Sequence, residues 1–162
     1  LAEGMDMKTI AGFFSQSAEA KALYPDTSDT NAFVTAVYAN VLGRTPDQGG
    51  FDFWATNLAN GSVQPATFVL NIIGGAKQGT SAADVAYLAA KANLGVYFSA
   101  IKGMSDATDA QNVLNIFGDA ATSDTAGARA AVDAHYADAT ATGAGDFLFD
   151  LVGVVTDPFA IV

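Results

Sequence analysis

The apolar residues Phe33, Val34, Val37, Tyr38, Val41 and Leu42 return at spacings of three and four and stop at Gly43. A stripe with that period fits an amphipathic α-helix rather than a strand, and glycine is the residue that most readily turns a helix C-terminus. Immediately after it, Thr45-Pro46-Asp47-Gln48 supplies a capping hydroxyl, proline at the first helical position, an acid in the first turn and glutamine three residues past the cap. This start signal predicts a second helix carrying Phe51, Trp54 and Leu58 and closed by Asn60-Gly61.

The same pattern runs on both sides. Asp6 to Leu23 reads as one helix, with Met7, Ile10, Phe13 or Phe14 and Ala18 near one face, stopped by Pro25 and Asp26; Asp29 or Thr30 then caps the helix of Phe33. Another begins near Pro65, carries Phe68, Val69, Ile72 and Ile73, and is expected to end at Gly74-Gly75. Ser81 with Asp84 three residues on caps a longer helix to about Lys102, lined by Tyr87, Leu94, Phe98 and Ile101, with Lys91 reaching along its edge to water. Asp106 to Phe117 and Ser123 to Ala137 give two further helices. After the small-residue linker Ala139 to Gly145, the run Phe147 to Val155 is rich in β-formers, broken by Gly153, and followed by Pro158. A lone strand is not stable, so this segment lies on the bundle, pairs with a following domain, or adds to a neighbouring chain. The expected fold is mainly α, a bundle of about six to seven helices with a short C-terminal β-like segment. The expected division is a helical domain over 1–102, helices packed on it over 103–140, and an extended segment over 141–162.

Charge narrows the partners. Fifteen Asp and two Glu against five Lys and two Arg give −10, which repels a phosphate backbone or an anionic membrane surface, so nucleic acid is excluded as a natural partner. No apolar stretch approaches the ~20 residues of a membrane span. The absence of cysteine removes disulfides, thiolate metal sites and cysteine nucleophiles. The chain starts at Leu1 and carries no signal-peptide pattern, and it reads as a piece whose export is directed by other parts of a longer polypeptide.

No catalytic constellation stands out. His135 is the single histidine, too few for a transition-metal site, and no Gly-x-Ser-x-Gly elbow accompanies it. The Asp47/Asp52 and Asp106/Asp109 pairs sit in helix first turns, where the helix dipole favours carboxylates, and capping explains them. Gly74-Gly75-Ala76-Lys77 lacks the spacing of a phosphate loop. Calcium is the one cofactor for which ligands are in view: Asp26, Ser28, Asp29 and Thr30 crowd oxygens into one turn, with Asp26 and Asp29 as the candidate ligands, although helix capping accounts for the same residues. Arg44 either binds a carboxylate ligand or caps its own helix; Trp54 either stacks on a sugar or belongs to the core.

The ordered set Tyr38-x-Asn40-x-Leu42-Gly43-Arg44, Pro46-Asp47, Gly49-Gly50, Phe53-Trp54, Leu58, Gly61 and the helix from Phe68 to Gly75 resembles domain-of-unknown-function family 4214. Upstream Phe13-Phe14, Gln16-Ser17, Glu19 and Leu23-Tyr24-Pro25, and downstream Ala86-Tyr87-Leu88, Lys91-Ala92 and Gly95 to Phe98, extend the resemblance over residues 1–102. The resemblance implies a domain of large secreted bacterial proteins, among them repeats-in-toxin adhesins, surface-layer-like proteins and extracellular enzymes, commonly beside calcium-binding repeats. It supplies no catalytic residues, and makes Arg44, Asp47, Gly50 and Trp54 the turn and core that define the fold. The chain is also similar to helical linker domains of phycobilisomes, but those are typically basic, which argues against that duty here.

The function expected is a non-catalytic structural, assembly or adhesion module of an extracellular or cell-surface protein, associating with itself or with neighbouring domains. The alternatives are a module binding cell-surface glycan or lipopolysaccharide through exposed aromatics, and an accessory domain of an extracellular enzyme.

Overall fold

A computed structural model describes residues 4–24, 26–79, 81–141, 148 and 157–160. These form eight α-helices: α1 Met7–Ser15, α2 Ala18–Leu23, α3 Thr30–Leu42, α4 Gln48–Ala59, α5 Phe68–Gln78, α6 Ala82–Val96, α7 Ala107–Phe117 and α8 Thr125–Ala139. A 3-10 turn, Pro65–Thr67, leads into α5, and a wide π-helical turn, Tyr97–Ile101, follows α6. The chain is thus mainly helical, with no strand among the described residues. The β-like segment expected over Phe147 to Val155 lies outside the described residues apart from Leu148. No described helix is long and apolar enough to cross a membrane.

Aspartate punctuates the fold. Asp6, Asp29, Asp47, Asp106 and Asp124 each precede a helix and accept a backbone N–H from its first turn. An N-cap carboxylate both satisfies an orphan donor and meets the positive end of the helix dipole. Position 47 corrects the expected boundary: the Asp47 carboxylate, not the Thr45 hydroxyl, takes the Gly50 N–H at 2.8 Å, and the helix starts at Gln48 rather than Pro46.

Other departures have similarly local causes. The single helix expected over Asp6 to Leu23 is two, because the Ser17 hydroxyl caps a new start by accepting the Ala20 N–H at 3.1 Å. Gly74-Gly75 does not end α5. The buried stripe Phe68, Ile72, Ala76 keeps its four-residue step through the two glycines, and packing of that stripe outweighs their low helix propensity. Ser81 does cap α6, accepting the Asp84 N–H at 3.2 Å. Lys91, expected to reach water, instead lies over the Tyr87 ring at 5.8 Å, and burial pushes its ammonium below the usual lysine range.

Contacts group the chain into two compact units, residues 1–85 and 86–162. The core of the first is the α3 face Phe33, Val34, Val37, Tyr38, Val41 and Leu42, packed with Phe68, Ile72 and Ala76 of α5. Gly43 ends α3 at φ 63°, the left-handed conformation that its lack of a Cβ permits. The core of the second gathers Tyr87, Leu94, Tyr97, Phe98, Met104, Val113, Phe117, Ala128 and Val132, with Leu148 and Phe159 half-buried against it.

Candidate functional site

Two features of the first unit concentrate polar chemistry and exposed apolar surface. One is a corner built where α3 ends. The left-handed Gly43 turns the chain so that Arg44 leaves the helix and reaches the start of α6. There Arg44 Nε and Nη2 donate to Asp84 Oδ1 and Oδ2 at 2.7 and 2.8 Å, a two-pronged contact that the planar guanidinium is shaped to make. Arg44 Nη1 donates to the Thr45 carbonyl at 3.0 Å, and the guanidinium lies 5.3 Å over the Tyr38 ring. Asp84 is only 4% exposed, the one buried charged residue among those described. Hydrogen bonding by Arg44 holds its carboxyl below the ordinary range, and the same contact raises the guanidinium further.

Behind this pair, Trp54 Nε1 donates to Tyr38 Oη at 3.1 Å. Trp54 also meets Phe68 and Phe53 edge-on, with ring centres 5.4 and 4.8 Å apart. Burial pushes the Tyr38 hydroxyl above the usual tyrosine range. A small cavity of about 230 Å³ opens between these side chains, Ile72 and Gly75. Within it every polar head already has a partner from the protein, so the corner is arranged as a clamp.

The residues read from the sequence as a structural motif therefore come together. Asp47 caps α4 through Gly50 and stands 3.9 Å from Arg44, Gly50 passes under the Tyr38 hydroxyl, and Trp54 holds that hydroxyl from the side. Arg44 does bind a carboxylate, but the carboxylate is the chain's own. Two members were missed. Tyr38 stands in the apolar stripe and in the family pattern but not among the four motif residues given a structural role, and Asp84 stands only as half of a cap. The sequence signal for Tyr38 was its place in the ordered motif. None marked Asp84, because a partner forty residues away leaves no trace in spacing.

Asp26 and Asp29 stand in one turn, yet their oxygens face the backbone. Asp26 Oδ1 accepts from the Ser28 N–H at 2.8 Å, the Ser28 hydroxyl at 2.6 Å and the Asp29 N–H at 3.3 Å, while Asp29 Oδ1 accepts from Ala32 at 3.0 Å. Among the described residues no three His, Cys, Asp or Glu side chains converge as a metal would require. His135 Nδ1 lies 3.0 Å from Asp109, joining α8 to α7 in the second unit, where Asp106 caps α7.

The second feature is an open apolar groove of about 1000 Å³ between α1–α2 on one side and α3, the 3-10 turn and α5 on the other. Met7, Ile10 and Phe14 of α1 face Phe33, Val69 and Leu70 across it, and Ser17, Glu19, Lys21 and Gln64 stand among the lining. No residue of α1 is fully buried. Met5, Met7, Phe13, Phe14 and Leu23 are each more than half exposed, Phe14 at 71%.

Residues 11–76 match the family model described as Domain of unknown function (DUF4214), so the resemblance to that family is shown over this segment. The matched stretch contains the whole Tyr38–Arg44–Trp54 corner except Asp84, and most of the groove. No curated protein matches the chain, and no solved structure does.

Proposed function

We propose that the chain is a non-catalytic assembly module of a larger secreted or cell-surface bacterial protein. The observation that carries this reading is the uncovered apolar surface of α1, α2 and the residues leading into them, where Met5, Met7, Phe13, Phe14 and Leu23 are more than half exposed around an open groove. Large apolar patches on a folded unit mark surfaces that other molecules cover. The polar residues singled out in the sequence contribute in the same direction. Arg44, Asp84, Asp47 and Trp54 are engaged with one another or with Tyr38 and the backbone, an arrangement suited to fixing a rigid scaffold.

A glycan-binding role has less support, because Trp54, the aromatic best suited to stack on a sugar, is turned toward Tyr38 and Phe68. The extracellular placement rests on the family resemblance. Negative-stain micrographs of the purified protein, with and without calcium, test the proposal: ordered lattices or filaments are expected, and isolated particles under both conditions would refute it.

A further inference from the structure

We infer that the groove between α1–α2 and α5 is the seat of a second copy of this chain, in a two-fold dimer in which α1 of each copy enters the groove of the other. This names the partner for the assembly reading above and rests on it. Three observations favour a copy over other occupants.

The first is extent. Met5 and Phe13 are 57% and 66% exposed but do not line the groove. A small apolar molecule filling the cavity would leave both in water, whereas a protein surface covers lining and flank together.

The second is charge. The chain carries −10, yet residues 4–24 hold Asp6 and Glu19 against Lys8 and Lys21, and the groove itself holds one acid and one base, Glu19 and Lys21. Two copies of so acidic a chain repel over most of their surface, and the electrically neutral α1–α2 face is where they approach at least cost. A two-fold axis also lets Glu19 of each copy face the other's Lys21.

The third is self-complementarity. A two-fold interface needs one patch to supply both projection and recess. Here the same short stretch does so: α1 offers an apolar edge at Phe13 and Phe14, and the recess beside it is floored by Phe33 and Val69. Methionine and unbranched side chains at such a surface adapt to what they meet.

Sedimentation equilibrium of the 162-residue chain over a concentration series tests this. A monomer–dimer equilibrium is expected, tightened by added salt, which screens the overall repulsion and leaves apolar burial intact. Phe14→Glu is expected to weaken dimerisation at least tenfold. Ile116→Glu, an exposed apolar position of the second unit, should leave it unchanged. Because the chain has no cysteine, mixing a Phe13→Cys protein with a Gln64→Cys protein should give an oxidised heterodimer absent from either alone. Circular dichroism of Phe14→Glu checks that helicity is kept, as its exposure leads one to expect.

A chain monomeric at all concentrations overturns the inference, and does so in favour of a small apolar ligand if an anilinonaphthalene dye binds and Phe14→Glu abolishes the binding. A dimer indifferent to Phe14→Glu overturns it as well. The two readings fail separately: a chain that is monomeric in solution, or a dimer indifferent to Phe14→Glu, sinks the groove dimer even where lattices form, while a groove dimer in a protein that forms isolated particles sinks the assembly role alone.

Discussion

A Cβ placed on Gly50 would fall 2.7 Å from the Tyr38 hydroxyl oxygen. That hydroxyl cannot retreat cheaply, since Tyr38 is 5% exposed, lies under the Arg44 guanidinium and receives the Trp54 N–H. The close passage of α4 beneath α3 is what allows the corner to form.

Gly50→Ala should therefore destabilise, although alanine is the better helix former by about 1 kcal/mol. Overpacking of this kind costs about 1–3 kcal/mol. In a Tyr38→Phe background the offending oxygen is gone, and the same substitution should cost less. Urea denaturation of the four proteins measures the coupling; additive effects would show that Tyr38 and Gly50 do not compete for the space.

Gly74 and Gly75 should respond in opposite directions. A Cβ on Gly74 meets nothing within 4 Å, so Gly74→Ala should stabilise by about 0.5–1 kcal/mol. On Gly75 it meets Trp54 Cζ2 at 3.3 Å, and the indole is held by Tyr38 and Phe68. Gly75→Ala should lose that gain or reverse it. Thermal melts of the two variants decide, and equal stabilisation would mean the indole moves freely.

Removing Arg44 leaves a buried carboxylate without its cation. Arg44→Met should cost about 2 kcal/mol, less than the ~3–5 of a fully buried pair because the Arg44 side chain is 33% exposed. Arg44→Lys should recover only part of this, since an ammonium cannot make the two-pronged contact.

Acid should erase the advantage of Asp84. Its carboxyl is held below the ordinary value by Arg44, so the stability it contributes is complete above the unfolded carboxylate pKa and is lost as pH falls through the lowered folded value. The gap in urea midpoint between the natural chain and Asp84→Asn should be widest near neutrality and close in acid. A gap independent of pH would refute the assignment.

The turn at Asp26 and Asp29 should behave as a cap. Asp29→Ala should lower the melting temperature equally in calcium and in chelator, because its Oδ1 serves the Ala32 N–H. A calcium-dependent rise in melting temperature, abolished by Asp26→Asn, would restore a metal site there.

What the sequence disclosed was mostly local. The α3 stripe, its Gly43 stop and the caps before α3, α6 and α7 were legible because each is written within four or five residues. The corner was half legible: Arg44, Asp47, Gly50 and Trp54 stood out as a set, while Asp84 looked like any first-turn acid. Gly74-Gly75 misled because two weak helix formers say nothing of a buried stripe that carries the helix across them. The groove could not be read at all, since the expected single helix over Asp6 to Leu23 would have had no break at Ser17 to shape it.

The five aspartates that open helices also account for half of the formal charge of −10. Asparagine caps a helix about as well as aspartate. Acidity and architecture are therefore separable in this chain: five single-atom exchanges would bring the charge to −5 while each helix keeps a side-chain oxygen at its start. The surface potential is thus open to adjustment to a new milieu, salt or neighbour, with no element of the fold redrawn.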